Sequence, residues 1–386
     1  MKILITTDLY TTETNGVVTS VKNLSDELVA RGHDVRILTV ADGWHSCQIG
    51  NVFYIRSIPI GAIYPDMRMP TSYHHRLIKD LIKWEPQVIH SQCEFFSFQF
   101  ARYISKKTGA PIVHTYHTLY EQYATYVIPI KGVGEKAVGK LSKVRLKNVQ
   151  RVIAPTRKVE DTLRSYGVAA PISVVPSGIR LEQHNKHISA DERTAGRQKL
   201  GIREDDTVLL NIGRLGNEKN LDELVRYFAT VLPKRQNLKF LIVGDGPARE
   251  MLEKLVDSLD IREHVIFTGM VPPTQVQDYY QLGDIFVSAS TSETQGLTYI
   301  EAAANGLPLL CRQDPCLRDV MVWGENGYDY TDVDGFRKGL DTMLADPEWC
   351  IRAGKRSREI AASFGKDAFG TAVEGVYESV LQSAGC

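Results

Sequence analysis

Short apolar runs and helix-period segments alternate along this chain twice over, and that alternation limits its fold more than any other feature. The runs 2–7, 35–40, 52–55, 86–90, 111–117, 152–154 and 172–175 are short, apolar and rich in β-branched residues. After the first run, Val17, Val21, Leu24 and Leu28 recur at helical spacing, and Gly32 stands where that helix would end. Strand, helix, strand with a glycine at the first turn is the opening of a parallel sheet. Pro176-Ser177-Gly178-Ile179-Arg180 interrupts the pattern, and a polar stretch follows to Arg197. Strands at 207–212, 238–243, 265–268 and 284–289 then alternate with helices at 221–232, 248–259 and 274–282. The pattern predicts an α/β chain with two doubly wound domains that divide near residue 180. A helix at about 368–381 follows with no obvious strand to serve. The 386 residues are enough for two cores.

The second half carries the stretch with the most chemistry, Ser292-Glu293-Thr294-Gln295-Gly296-Leu297-Thr298-Tyr299-Ile300-Glu301-Ala302. It joins an apolar strand to a helix that ends at Asn305-Gly306. Glu293 falls on the loop and Glu301 about one turn inside the helix. Gly296 lets a ligand approach the backbone, and the helix start offers N–H groups to an anion. A negative group on backbone N–H, with two acids placed to accept from hydroxyls, points to a nucleotide sugar.

Gly213-Arg214-Leu215-Gly216-Asn217-Glu218-Lys219-Asn220 follows the strand at 207–212. Such sheets bind ligands at their carboxyl ends, so Arg214 and Lys219 are candidate phosphate contacts. Two helix starts, at Gly16 and Gly296, with Arg214 and Lys219, would supply about +3 charges. That is enough to neutralise a diphosphate without a metal, and no cofactor is expected. Gly244-Asp245-Gly246 starts like a dinucleotide fingerprint but lacks its third glycine. It says only that backbone comes close to something there. Asp332-Val333-Asp334 reads as a surface turn rather than a metal ligand set. In His114-Thr115-Tyr116-His117-Thr118 the two histidines point opposite ways if the strand alternates. His114 reads as a core histidine and His117 as the functional one.

The net charge of zero conceals an asymmetry: residues 1–180 hold 23 Lys+Arg against 14 Asp+Glu, leaving 23 against 32 for the remainder. The excess is densest from Lys131 to Arg151, where Lys131, Lys136, Lys140, Lys143, Arg145, Lys147 and Arg151 face the single acid Glu135. Tyr120, Tyr123, Tyr126 and the run Val127–Ile130 lead into it. Either this is a solvated helix face or it meets an anionic membrane surface. The aromatic and aliphatic lead-in suits a membrane better than nucleic acid, which is not expected as a partner. The absence of a run of roughly 18 apolar residues, of a signal-like start and of Cys-x-x-Cys spacing fits a reduced, cytoplasmic chain.

Taken together, "TNGVVTSVKNLSDELVARGHDV", "GRLGNEKN" and "SETQGLTYIEAAANGLP" resemble the retaining GT-B glycosyltransferases of family 4. "HSQCEFF" and "VHTYHTLYEQYATYV" look like bacterial 1,2-diacylglycerol 3-glucosyltransferases. The resemblance implies two Rossmann-like domains with a cleft between them. Residues 1–180 and about 368–386 would bind the acceptor, the last helix crossing back to the first domain. Residues 181–367 would bind the nucleotide sugar. Gly16 would approach the donor diphosphate, Arg214 and Lys219 would bind it, and His117 would lie beside the transferred sugar. Glu293 would hold sugar hydroxyls, Gly296, Leu297 and Thr298 would meet phosphate, and Glu301 would take the ribose. Met270 and Val271 would edge the uracil, with Gly244 nearby. The implied reaction moves a hexose from UDP-glucose or UDP-galactose to diacylglycerol at the inner face of the cell membrane. Asn15 before Gly16, Arg180 after "GI", and "SFQF" after "EFF" depart from the family pattern. The alternatives are a soluble sugar, inositol phosphate or cell-wall precursor as acceptor, an epimerase, and a nucleotide-sugar-binding protein without catalysis.

Overall fold

The computed structural model describes residues 1–10, 16–60, 68–119, 133–184 and 188–384. It divides into two compact units, Met1–Gly178 with Lys366–Cys386, and Ile179–Gly365.

The first unit contains β1 (Lys2–Thr6), β2 (Asp34–Val40), β3 (Cys47–Ile49), β4 (Val52–Ile55), β5 (Ser57–Pro59), β6 (Arg68–Pro70), β7 (Val88–Ser91), β8 (Ile112–Thr115), β9 (Arg151–Ala154) and β10 (Ile172–Val174). Its main sheet has the order β10-β9-β8-β7-β1-β2-β4-β3, and β5 pairs with β6 apart from it. The main-sheet pairings are parallel except for β3 with β4. Period-2 geometry sends neighbouring side chains of β1 to opposite cores. Ile3 and Ile5 pack with Val21, Leu24 and Leu28 of the helix Gly16–Ala30 and with Phe369, Val373 and Tyr377 of the last helix. Leu4 packs on the other face with Ile78, Phe98 and Leu163. Gly32, at φ 85°, ends the first helix as its position predicts.

The last helix, Lys366–Ala384, belongs to this first unit. Its Tyr377 hydroxyl bonds His90 Nδ1 at 2.7 Å, and His90 Nε2 meets the Thr115 hydroxyl at 2.7 Å. Burial holds His90 neutral, its pKa well below the ordinary value. Arg31 and His33 both bond Glu374 on the same helix.

The second unit contains β11 (Thr207–Ile212), β12 (Leu238–Val243), β13 (Val265–Phe267), β14 (Ile285–Ser288), β15 (Leu309–Arg312) and β16 (Gly327–Tyr330). They form one parallel sheet in the order β13-β12-β11-β14-β15-β16. Val208 and Leu210 face one core and Leu209 the other. Each sheet therefore reverses its strand order once, between β1 and β7 in the first unit and between β11 and β14 in the second.

One local expectation needs correction. Asp332-Val333-Asp334 is a helix start rather than a surface turn. The Asp332 carboxylate accepts from Gly335 N at 2.8 Å and caps the helix Val333–Ala345. The helix before β7 begins at Arg76, capped by the His75 ring, while Tyr73 packs its ring on Phe100. Among the described residues no helix is long and apolar enough to cross a membrane.

Candidate active site

In an open parallel sheet the loops at a reversal of strand order diverge and leave a crevice at the carboxyl ends. In the second unit those loops are Gly213–Asn220 after β11 and Ala289–Gly296 after β14. Lys219 Nζ donates to Glu293 Oε1 at 2.6 Å across them. Both side chains keep some exposure, 29% for Lys219 and 16% for Glu293. Asn220 fastens the same join, its Nδ2 donating to Ala289 O at 3.2 Å. Arg214 stands more exposed and bonds the nearly buried Glu218 carboxylate. Gly216 makes that possible: a Cβ there would lie 2.3 Å from the Glu218 oxygens.

Gly296 caps the eight-residue helix Leu297–Ala304 in the left-handed region, φ 74° and ψ 66°. The first-turn N–H groups at Leu297 and Thr298 lie at this helix start, where donors without an intrahelical partner accumulate. Glu301, one turn on, accepts from the buried Tyr280 hydroxyl at 2.7 Å. Desolvation pushes its pKa up to about 7, with the Tyr280 hydrogen bond pulling the other way. Asn305 donates to the Glu301 carbonyl at 2.9 Å and also bonds His184 and Gln277. A cation, two carboxylates and a helix start thus lie on the two loops at this reversal and on the helix that follows β14, a set suited to a phosphate ester that carries hydroxyls.

The close approach expected at Gly244 is between two loops of the chain itself. Gly244 has φ 132°, and a Cβ there would lie 2.0 Å from the Gly213 carbonyl oxygen. Leu215 N donates to Asp245 O at 2.9 Å beside it.

In the first unit the strand ends also carry polar groups. Asp8 follows β1, Gln92 follows β7 and His117 follows β8. His117 Nε2 bonds Gln92 Oε1 at 2.7 Å. Burial, with His114 nearby, lowers the His117 pKa to about 3, so its ring is neutral. His114 is fully buried and bonds Glu94 at 3.3 Å. β8 ends at Thr115, so strand alternation does not extend to His117: His114 is buried in the strand and His117 stands two residues beyond its end.

Known proteins share this architecture and sequence. A family model described as Glycosyltransferase Family 4 matches residues 14–183, and one described as Glycosyl transferases group 1 matches residues 192–360. An alpha-monoglucosyldiacylglycerol synthase from Acholeplasma laidlawii is 31% identical over 391 residues, 99% of this chain and 98% of its own. Another from Streptococcus pneumoniae is 33% identical over 353 residues, 90% of this chain and 79% of its own. The chain belongs to the family 4 glycosyltransferases. The fold of this glycosyltransferase is GT-B: sucrose-phosphate synthase from Thermosynechococcus elongatus superposes with a TM-score of 0.79 at 21% identity, covering 99% of each chain.

The second unit of the glycosyltransferase gathers Lys219, Glu293, Gly296, Leu297, Thr298 and Glu301 on the reversal of its sheet. Arg214 lies on the same β11 loop. Met270 and Val271 follow β13, Met270 largely exposed and Val271 packed on the core. Gly16 starts the first helix of the other unit, which also holds His117. Lys136, Lys140 and Lys143 are exposed on the helix Val133–Leu146, and exposed Lys147 follows it. Tyr120, Tyr123, Tyr126 and Lys131 lie outside the described residues. Sequence reasoning passed over Asp8, Gln92, Glu218 and Tyr280. Asp8 was the most accessible of these, since it stands two residues beyond an obvious strand end.

Proposed function

We propose that this glycosyltransferase moves glucose from UDP-glucose to diacylglycerol with retention, giving an α-linked monoglucosyl lipid. The observation that carries the lipid acceptor is the likeness, over nearly full length, to an alpha-monoglucosyldiacylglycerol synthase. A solved structure titled Anabaena HepE in complex with UDP-glucose supports the donor class, with a TM-score of 0.76 at 17% identity. In this reading Lys219 and Arg214 meet the diphosphate, with the helix start at Leu297 and Thr298, and no metal ion is needed. Glu293 accepts from sugar hydroxyls and Glu301 from the ribose. The acceptor oxygen attacks C1 on the face that the diphosphate leaves. The C1–O bond to phosphate breaks as the new C1–O bond forms, and the acceptor proton passes to the departing phosphate oxygen. Rate then comes from leaving-group stabilisation and from positioning.

The helix Val133–Leu146 supports a membrane-held acceptor and a peripheral location. Leu141 and Val144 are 49% and 65% exposed, at i and i+3. Exposed Lys136, Lys140, Lys143 and Lys147 flank them. Each lysine near an anionic surface contributes about 1 kcal/mol. Reversing Lys140, Lys143 and Lys147 to Glu is expected to weaken binding to phosphatidylglycerol vesicles at least about 100-fold, read by cosedimentation. Unchanged vesicle binding and unchanged lipid glucosylation would favour a soluble acceptor.

Glu301 gives a pH signature. Its carboxyl is protonated below about pH 7 and accepts from ribose best when ionised. UDP affinity is therefore expected to rise about fivefold as pH climbs through that value, and to lose the slope in Glu301→Gln. Stability of the unliganded protein runs the other way. Between the ordinary 4.5 and about 7 the unfolded chain ionises this group while the folded chain does not, so stability falls over that window. Calorimetric titration of UDP and melting temperatures across pH check both signs.

A further inference from the structure

The helix Val276–Leu282 precedes β14 and holds Glu301 from two points. Tyr280 donates its hydroxyl to Glu301 Oε2 at 2.7 Å. Gln277, one turn earlier on the same face, bonds the side chain of Asn305, and Asn305 Nδ2 donates to the Glu301 carbonyl at 2.9 Å. One helix therefore fixes both the carboxylate and the backbone of this residue. Tyr280 has little freedom of its own. It is fully buried, its ring edge-on to His184 and tilted against Phe286, each centroid 6.3 Å away.

The hydroxyl engages Oε2, and among the described residues no other group bonds the carboxylate. The last torsion of a glutamate is broad, so a free carboxylate spreads its lone pairs over many directions. With Oε2 pinned by a buried donor, Oε1 keeps a fixed bearing. The donor also favours the ionised form, which accepts hydrogen bonds from a diol. We infer that Tyr280 is a positioning residue: its hydroxyl holds Glu301 so that Oε1 accepts from the ribose hydroxyls, and so sets a preference for a ribonucleotide over a deoxynucleotide. The inference rests on the reading of Glu301 as the ribose contact and assigns what orients it.

Three further groups stand on the elements packed around this turn. His184, on the short helix Leu181–His184, bonds Asn305 at 2.9 Å. Burial lowers its pKa to about 4, against the Gln277 bond and the charge of Glu182, so the ring is neutral where Glu301 titrates. Arg358, on the helix Pro347–Ala361, donates to Asn305 O at 3.1 Å. β15 brings the Cys311 thiol, which burial pushes up. Tyr280 is the partner that meets the carboxylate itself.

Tyr280→Phe removes the hydroxyl and keeps the ring. The probes are UDP and 2′,3′-dideoxy-UDP, titrated calorimetrically into the full chain from about pH 6 to 9, with Glu301→Gln carrying the ligands' own titration. In Tyr280→Phe the rise in UDP affinity is expected about one pH unit higher than in wild type, because the lost bond favoured the ionised carboxyl. The preference for UDP over the dideoxy form should fall at least about twofold near pH 7, and the dideoxy dissociation constant should stay at its wild-type value. Replacing Tyr280 by 3-fluorotyrosine keeps the packing and strengthens the donor, so it should move the rise to lower pH. A wild-type preference and an unmoved rise in both variants overturn the role of Tyr280, as does equal weakening of both nucleotides, which marks a structural loss. If the wild type binds UDP and the dideoxy form alike, the ribose reading of Glu301 fails, and the role of Tyr280 fails with it.

Discussion

Replacing Lys219 with alanine is expected to lower kcat/KM for the UDP-sugar by about 100- to 1,000-fold while the melting temperature hardly moves. Lys219 ends the single turn Asn217–Lys219 on the β11 loop, and Asn220 follows in the left-handed region at φ 50°. That bend aims the ammonium across the sheet reversal at Glu293, 2.6 Å away. In the proposed reaction the ammonium does two jobs. It stabilises charge that grows on the departing diphosphate, and it fixes the carboxylate that reads the sugar. The first is stronger in the transition state than in the ground state, so its loss falls on kcat as well as on binding. Partly exposed ion pairs contribute at most about 1 kcal/mol to folding, which is why stability is spared. Lys219→Arg should recover part of the rate, because it keeps the charge with a different reach. Steady-state kinetics beside thermal melts checks the pair; a Lys219→Ala enzyme within threefold of wild type would remove this residue from the mechanism.

Gly296→Ala is the second large effect, and its origin is backbone. Gly296 sits at φ 74°, a conformation that costs an L-residue about 1–2 kcal/mol. A Cβ there would also lie 2.5 and 2.6 Å from the Tyr299 ring carbons. Tyr299 is buried and its hydroxyl meets Ser288 Oγ at 3.0 Å, so the ring has little room to yield. The chain must instead turn at the cap and carry the N–H groups of Leu297 and Thr298 with it. Displacing such groups by about 1 Å can cost about 100-fold in catalysis. UDP affinity is expected to fall by about that factor and the melting temperature by several degrees, read by calorimetry. Unchanged UDP affinity would mean that the helix start does not hold the phosphate.

The fold was legible because its signals are local and periodic. Val17, Val21, Leu24 and Leu28 reveal a helix by spacing alone, and Gly32 and Gly296 reveal turns by their lack of Cβ. The strand–loop–helix junction around Glu293 and Glu301 could be read for the same reason. What stayed hidden depends on strand order, which no single segment encodes. Asp8 and Gln92 are 84 residues apart and become neighbours only because β7 pairs with β1. Tyr280 is unremarkable in an amphipathic stretch until its hydroxyl is seen on Glu301. Gly244 shows the opposite case: its glycine was visible, but the group that crowds it, Gly213, lies on another strand end. Asp332 looked like a turn residue because the same side chain caps helices and closes turns.

The reaction proposed for this enzyme passes glucose from UDP-glucose to diacylglycerol with retained configuration. It is tested most directly by incubating the purified protein with UDP-glucose and phosphatidylglycerol vesicles that contain diacylglycerol, then taking mass and proton NMR spectra of the extracted lipids. The expected product is a monohexosyl diacylglycerol whose anomeric proton shows the small coupling of an α-glucoside. A β-anomer, or release of UDP with glucose found only on a water-soluble acceptor, would contradict it.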